Sequence, residues 1–449
     1  MMSGRATVLL VNEDPYTIRA CLQAGLRCVL VHGPGLIESG YIQIPPEVET
    51  VLAEDVASVE SVLSALTRAG LRDRAFACVQ TSDEEALVTA AALGVVLGVP
   101  AMSPDVAVLF RDKWLQKQVV SEAGVPVARS RVINDIHHVD PAIFDGFSKA
   151  VLKPIASGGT QRTSIIRSRE ELAAAGAALR REGVSARTFV LEEFVDGVEW
   201  VVNGVVVDGA CRFQALGVYS ETCLTTVSTG SAVQVETLDP VDSADSYELV
   251  RPVVDAVLAA LGLHSAVFHM ELFVPDDGRE PVFGECAARR GGGMTHEVVQ
   301  QKFGVDLGAA AVACALGVEP DLDVSLDPDT VGSTSLVRRP GLLVRCPTAD
   351  DLEGRPGVRC ARIDLPWGSV IGDKTAGTFQ RVGQVLVTAR TPEDFRAQRD
   401  DVVRWFDERL VLAPVGASPA DLRAWQVGHW PGTADRFAPF RAVGVEMRA

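Results

Sequence analysis

Lysine is scarce in this 449-residue chain: Lys113, Lys117, Lys149, Lys153, Lys302 and Lys374 are the only ones among 42 basic residues. Acids outnumber bases 59 to 42, for a formal charge of −17, and that sign excludes a reader of the nucleic-acid backbone. No apolar run reaches membrane-spanning length, because acids, glycines and polar residues interrupt each one. The apolar stretch 6–11 is too short for a signal peptide and runs into Asn12-Glu13-Asp14. The nine cysteines contain no CxxC pair, which excludes a zinc ribbon, and the odd, scattered set reads as reduced thiols in a cytoplasmic protein. No GxGxxG follows the first strand, and no GK[ST] occurs in the glycine-rich segment, so neither a dinucleotide fingerprint nor a Walker loop is present. Hydrophobic residues at 47% suffice for several cores, about three at roughly 150 residues per domain.

Strand and helix patterns alternate through residues 1 to about 105. Strands are expected at Val8–Val11, Arg27–Val31 and Phe76–Gln80, with helices between them and at Glu84–Gly94. That alternation predicts parallel βαβ units in a small doubly wound domain. The acids of Ser82-Asp83-Glu84-Glu85 read as a plain helix start. From Arg111 on, the pattern mixes α and β. A helix ends at Gly124, Val151–Pro154 and Thr163–Arg167 flank a glycine-rich loop, and Ser168 with Glu171 opens a helix as a capping box. Asp208-Gly209 predicts a tight hairpin between Glu199–Val207 and Cys211–Val218.

The strands Ala266–Val274 and Pro281–Ala288 carry the chemistry. Alternate residues share a face, so His269, Glu271 and Phe273 point together, as do Phe283, Glu285, Ala287 and Arg289. If Val274 faces Val282, Glu271 lies opposite Glu285 with Cβ atoms about 5 Å apart. Two like charges so close call for a hard divalent cation between them; a solvated pair of acids reads equally well on parity alone. Arg289 on that face suits a phosphate; His269 could orient a ligand or act as a base, but reads more simply as a packed, hydrogen-bonded histidine. The loop Ala156 to Arg162 offers amides to phosphate oxygens, but alone it reads as an ordinary hairpin. Glu192, at the end of a buried strand, reads alone as solvated.

In order, Arg111-Asp112-Lys113, Lys153-Pro154 with the glycine loop, Glu192 to Glu199, Glu271, Glu285 and Arg289 form a series that resembles the ATP-grasp superfamily. The resemblance runs from about residue 8 to 411. The segment FHMELFVPDDGREPVFGECAARRGGG looks most like the carboxylate–amine ligase branch that includes bacterial L-amino-acid ligases. It implies an α/β and α+β chain. An N-terminal doubly wound α/β domain (1–110) precedes a small lobe with loop and hinge (111–205) and a large lobe with the metal site (206–325). A β-rich subdomain (326–411) and a tail (412–449) follow.

By position, the resemblance gives Lys113 and Lys153 to ATP phosphates, with Lys153 also near adenine. Ser157, Gly158, Gly159 and Thr160 would close over the β- and γ-phosphates. Glu192 would accept from the adenine amino group, the backbone of Glu193, Phe194 and Val195 would complete the hinge, and Glu199 would take the ribose hydroxyls. Glu271 and Glu285 would bind Mg²⁺, and Arg289 the transferred phosphoryl group. The family usually has Asn two residues after the second metal glutamate; Ala287 stands there, which leaves a second metal in doubt. The loop lacks the four-glycine run of biotin-carboxylase-like members, which argues against bicarbonate.

The implied activity is ADP-forming ligation of a small-molecule carboxylate to an amine, without nucleic acid or membrane. A homodimer is the assembly the resemblance admits. Transfer to a thiol on a carrier protein, or nucleotide binding without catalysis, remain the alternatives. Arg290, Arg338 and Arg339 are candidates for a substrate carboxylate.

Overall fold

The computed structural model describes residues 6–38, 43–275, 280–336, 339–372, 377–378, 381–416 and 420. The expected tail lies almost wholly outside them, as does Arg338.

The first four strands, Thr7–Val11, Arg27–His32, Glu49–Leu52 and Cys78–Gln80, form a parallel sheet. Spatially the Glu49 strand is at one edge, followed by the Arg27, Thr7 and Cys78 strands. Val8, Leu9, Leu10 and Val11 are all buried, as a parallel strand covered on both faces requires. Strand order reverses between the first and last of these strands, so Asn12–Asp14 and Thr81–Glu84 meet at the carboxyl-end crevice of such a sheet.

A second, antiparallel sheet has the order Ser130–Ile133, Phe189–Glu193, Ala150–Pro154, Ser164–Ile166. Helix Arg169–Arg181 covers it, with Ser168 Oγ accepting the Glu171 amide. The capping box is only half realised, because the Glu171 carboxylate takes the amide of Arg167, one residue before the cap.

The main sheet has eight antiparallel strands. It runs from Val282–Ala287 through Ala266–Val274, Val198–Val207, Ala210–Tyr219, Gln234–Thr237, Thr330–Ser335 and Gly383–Ala389 to Val358–Ile363. Asp208 and Gly209 both have positive φ, 51° and 75°, and join Val207 to Ala210 as the dipeptide predicts. Helix Ala244–Ala260 packs on one face, where Phe268, Met270 and Leu272 meet Val250, Val254 and Val257. The opposite face of these strands carries the polar residues discussed below.

The pairing of the two acid-bearing strands departs from simple alternation. Glu271 pairs with Glu285 as expected, but Leu272 pairs with Phe283 and Phe273 with Val282. Gly284 is therefore the extra residue of a β-bulge. A Cβ there would lie 2.9 Å from Glu271 O, so only glycine fits the close approach. Beyond the bulge, parity inverts: Phe283 joins the apolar core with Leu272, and not the face of Glu285.

Among the described residues no helix is long and apolar enough to cross a membrane. All nine cysteines are free thiols.

Candidate active site

The site is assembled at one helix start, one hairpin sheet and the bulged strand pair. Asp112 caps helix Lys113–Glu122 by accepting the amides of Trp114 and Leu115 at 3.0 and 2.9 Å. The Lys113 amide bonds Ile155 O at 2.9 Å, which ties that helix to the end of the Lys153 strand. Lys113 Nζ then reaches Glu285 Oε2 at 2.9 Å.

One helical turn on, Lys117 points the same way. It is 1% exposed, lies 3.5 Å from Glu192 Oε2, and donates to the Gly284 carbonyl that the bulge turns out of the ladder. The sequence reading missed it. Its spacing of four from Lys113 was the available signal, but a lysine is seldom so deeply buried unless paired. Burial pulls its ammonium down to about 8, against the opposing pull of Glu192.

Val151 pairs with Glu192, so Lys153, two residues on, shares their face. Lys153 Nζ lies 3.0 Å from Glu192 Oε2 and 3.7 Å from Glu285 Oε2. Burial would lower this ammonium, but Glu192 and Glu285 outweigh it and hold it above its ordinary value. Conversely, burial would raise the Glu285 carboxyl, yet Lys113 and Lys153 hold it down to about 2. Glu192 Oε1, by contrast, is buried without a hydrogen-bond partner. An acceptor left so is costly unless a donor arrives from outside the protein.

Lys113, Lys153, Ser157, Gly159, Thr160, Glu192, Glu193, Phe194, Val195, Glu199, Glu271 and Glu285 all border one cavity of about 120 Å³. Of the predicted nucleotide and metal residues, Gly158 alone is not on its wall. The amides of Glu193 and Phe194 are committed within the fold, to Arg129 O at 2.8 Å and Lys149 O at 3.0 Å. Glu199 is buried and accepts the Cys223 amide at 2.8 Å. Burial, then the nearby Glu271, pushes its carboxyl up to about 8.

In the glycine loop, Gly159, Thr160 and Arg162 have positive φ, and the amides of Gln161 and Thr163 bond back to Gly158 O and Thr160 O at 3.3 and 3.4 Å. The loop is not isolated: Gly159 O accepts both the amide and the hydroxyl of Thr378, from the far end of the chain, at 2.8 and 3.2 Å.

A second cavity of about 110 Å³ adjoins the first and shares Gly159, Thr160, Glu271 and Glu285 with it. Arg289 opens onto this second cavity. Its guanidinium also bonds Glu84, and Arg111 lies 3.6 Å from the same carboxylate. The acids read as a helix start are therefore bridges: helix Leu87–Leu97 begins only after them, Glu84 orients Arg289, and Asp83 takes the Asn12 amide. Arg290 pairs with Asp14 at 2.8 Å and Arg339 with Asp407 at 3.0 Å, and neither lines the two adjoining cavities.

No family model matches the chain. A curated relative, the L-arginine-specific L-amino acid ligase of Bacillus subtilis, is 22% identical over 333 residues, or 73% of this chain and 79% of that protein. The crystal structure of an L-amino acid ligase from Bacillus licheniformis superposes with a TM-score of 0.73 at 17% identity, covering 92% of this chain and all of that one. A carboxyaminoimidazole ribonucleotide synthase from Aspergillus clavatus, solved with ATP, gives 0.68 at 13% identity over 90% of this chain and 99% of that one.

Proposed function

We propose that this chain, built on the ATP-grasp fold it shares with those structures, is an ATP-dependent ligase that joins a small-molecule carboxylate to an amine and releases ADP and phosphate. One observation carries the reading. Glu271 and Glu285, with Gly159, Thr160 and Cys223, border both the lysine-lined cavity and its neighbour, so a phosphoryl donor in one and an acceptor in the other meet beside those carboxylates.

In this reading Glu192 Oε1 takes the adenine amino hydrogen, which gives the orphaned acceptor its partner. Glu193 to Val195 line the adenine edge and Glu199 the ribose. Lys113 and Lys153 pass from the glutamates to the phosphates, beneath the loop of Ser157 to Thr160. Two facing carboxylates, one kept fully ionised, fit a hard divalent ion such as Mg²⁺. That ion, held by Glu271 and Glu285, supplies charge neutralisation on the transferring oxygens.

The substrate carboxylate oxygen forms a bond to the γ-phosphorus as the bond to the ADP oxygen breaks. The amine then attacks the acyl carbon, and phosphate leaves with the bonding pair and takes up the proton that the nitrogen sheds. Arg289 steadies the phosphoryl oxygens, and closure of the glycine loop keeps water from the acyl phosphate.

The second cavity is lined by Val201, Ala215, Val235, Val298 and Val299 and, in similar measure, by polar groups that include Tyr219, Ser333, Arg381 and Gln384. A panel of acids with amines or thiols, scored by phosphate release and product mass, tests the reading. Amide formed in step with ADP supports it. Thioester moves the acceptor to a thiol, and absence of acid-dependent ADP release overturns it.

A further inference from the structure

The sequence set a packed His269 against one that orients a ligand or acts as a base, and left the Gly291-Gly292-Gly293 run without a role; the structure joins the two. The Gly291 amide lies 3.2 Å from Asn203 Oδ1. A backbone N–H only donates, so the amide of Asn203 is turned with its oxygen toward Gly291. That same oxygen lies 2.9 Å from His269 Nδ1. It has no proton to give, so Nδ1 carries the hydrogen, which leaves Nε2 as the ring nitrogen free to bind a metal ion.

Nε2 lies 3.6 Å from Glu271 Oε1, beyond hydrogen-bonding distance. Nε2 and the Glu271 carboxylate thus stand side by side on the wall of the second cavity. His269 also pairs directly with Ala287 in the strand register, so its imidazole stands beside the residue where an asparagine oxygen would otherwise serve. The cradle is built to tolerance. A Cβ at Gly291 would fall 2.6 Å from His269 Nδ1 and 2.7 Å from Asn203 Oδ1, which is why glycine stands there.

We propose, resting on the ligase reading, that His269 Nε2 is a third protein ligand of the divalent ion held by Glu271 and Glu285, in the position Ala287 leaves without an oxygen. Ligands at right angles around an ion with bonds of about 2.1 Å lie about 3.0 Å apart, so a small rotation of either side chain closes the gap. Among the described residues no three His, Cys, Asp or Glu side chains meet at one point. Glu285 is drawn aside to Lys113, and His269 with Glu271 is the half already in place. An imidazole donor shifts preference toward Mn²⁺ relative to Mg²⁺.

The test uses the full chain with Mn²⁺ and a non-hydrolysable ATP analogue, read by pulsed electron paramagnetic resonance. Bound Mn²⁺ should show coupling to a directly ligated ¹⁴N that changes to ¹⁵N when only the histidines are labelled. His269→Gln should lose that coupling, and its Mn²⁺-to-Mg²⁺ affinity ratio should fall roughly tenfold or more. If the variant does not fold, the labelling comparison in the wild-type chain decides alone. Bound Mn²⁺ with no histidine coupling overturns the proposal and leaves the ligase reading standing. Failure of the Mn²⁺–nucleotide pair to bind overturns both.

Discussion

Lys153→Met is the most informative single perturbation of the nucleotide cavity. The ammonium lies 3.0 Å from Glu192 and 3.7 Å from Glu285 and is largely buried. At an effective dielectric of about 20, each contact is worth roughly 4–6 kcal/mol of gross attraction, most of it offset by desolvation. Breaking a buried pair usually costs about 3–5 kcal/mol because a charge is left alone. Here neither acid is left alone: Glu192 keeps Lys117 at 3.5 Å and Glu285 keeps Lys113 at 2.9 Å. The fold should therefore lose only about 1–3 kcal/mol, and the variant should remain folded. Nucleotide binding has no such reserve. Loss of a buried, hydrogen-bonded cation facing phosphate should cost about 2–4 kcal/mol, or roughly 30- to 1000-fold in affinity. Calorimetry with a Mg²⁺–ATP analogue measures it, and AMP should be weakened far less. A folded variant with unchanged ATP affinity would refute the assignment.

Gly284→Ala should cost about 1–3 kcal/mol, because its Cβ meets the Glu271 carbonyl at 2.9 Å. It should also weaken Mg²⁺–nucleotide binding by moving Glu285, and undiminished binding in a folded variant would contradict the role of the bulge. Gly377→Ala puts a Cβ 2.6 Å from Gly159 O, which should lift the glycine loop and raise ATP hydrolysis without coupling; a coupling ratio equal to wild type would contradict the loop's sealing role. Burial first, then Asp14, pushes the Glu13 carboxyl from 4.5 up to about 8. Between those values the folded chain holds a proton that the unfolded chain has released, so stability falls as pH rises through the window. Glu13→Gln should flatten thermal stability from pH 5 to 8, and an identical slope would show that Glu13 does not titrate there.

The acid pair was legible in the sequence because period-two alternation and a short turn nearly determine which residues oppose. The bulge was not, since Gly284 breaks no pattern until the partner strand is present. Its effect was confined to the turn side, where Phe283 fell on the wrong face, while Glu271 and Glu285 stayed paired. Lys117, Asn203 and Thr378 escaped notice for a common reason: each acts through a partner distant in the chain, Gly284 O, Gly291 N and Gly159 O respectively. The acids around Glu84 looked like an ordinary helix start because their arginine, Arg289, is 205 residues away. Short segments such as the Ser/Thr-rich Cys223–Thr229 and the four-residue Gln234–Thr237 carry too little periodicity to be read as helix or strand.

The route of one oxygen atom tests most directly whether a carboxylate is activated where the two cavities adjoin. The substrate acid, labelled with ¹⁸O in its carboxyl group, is turned over with ATP and the amine, and the released phosphate is weighed by mass spectrometry. Transfer through an acyl phosphate delivers one ¹⁸O atom to each phosphate, with ADP as the other product. Unlabelled phosphate, or label recovered in AMP, would contradict the account.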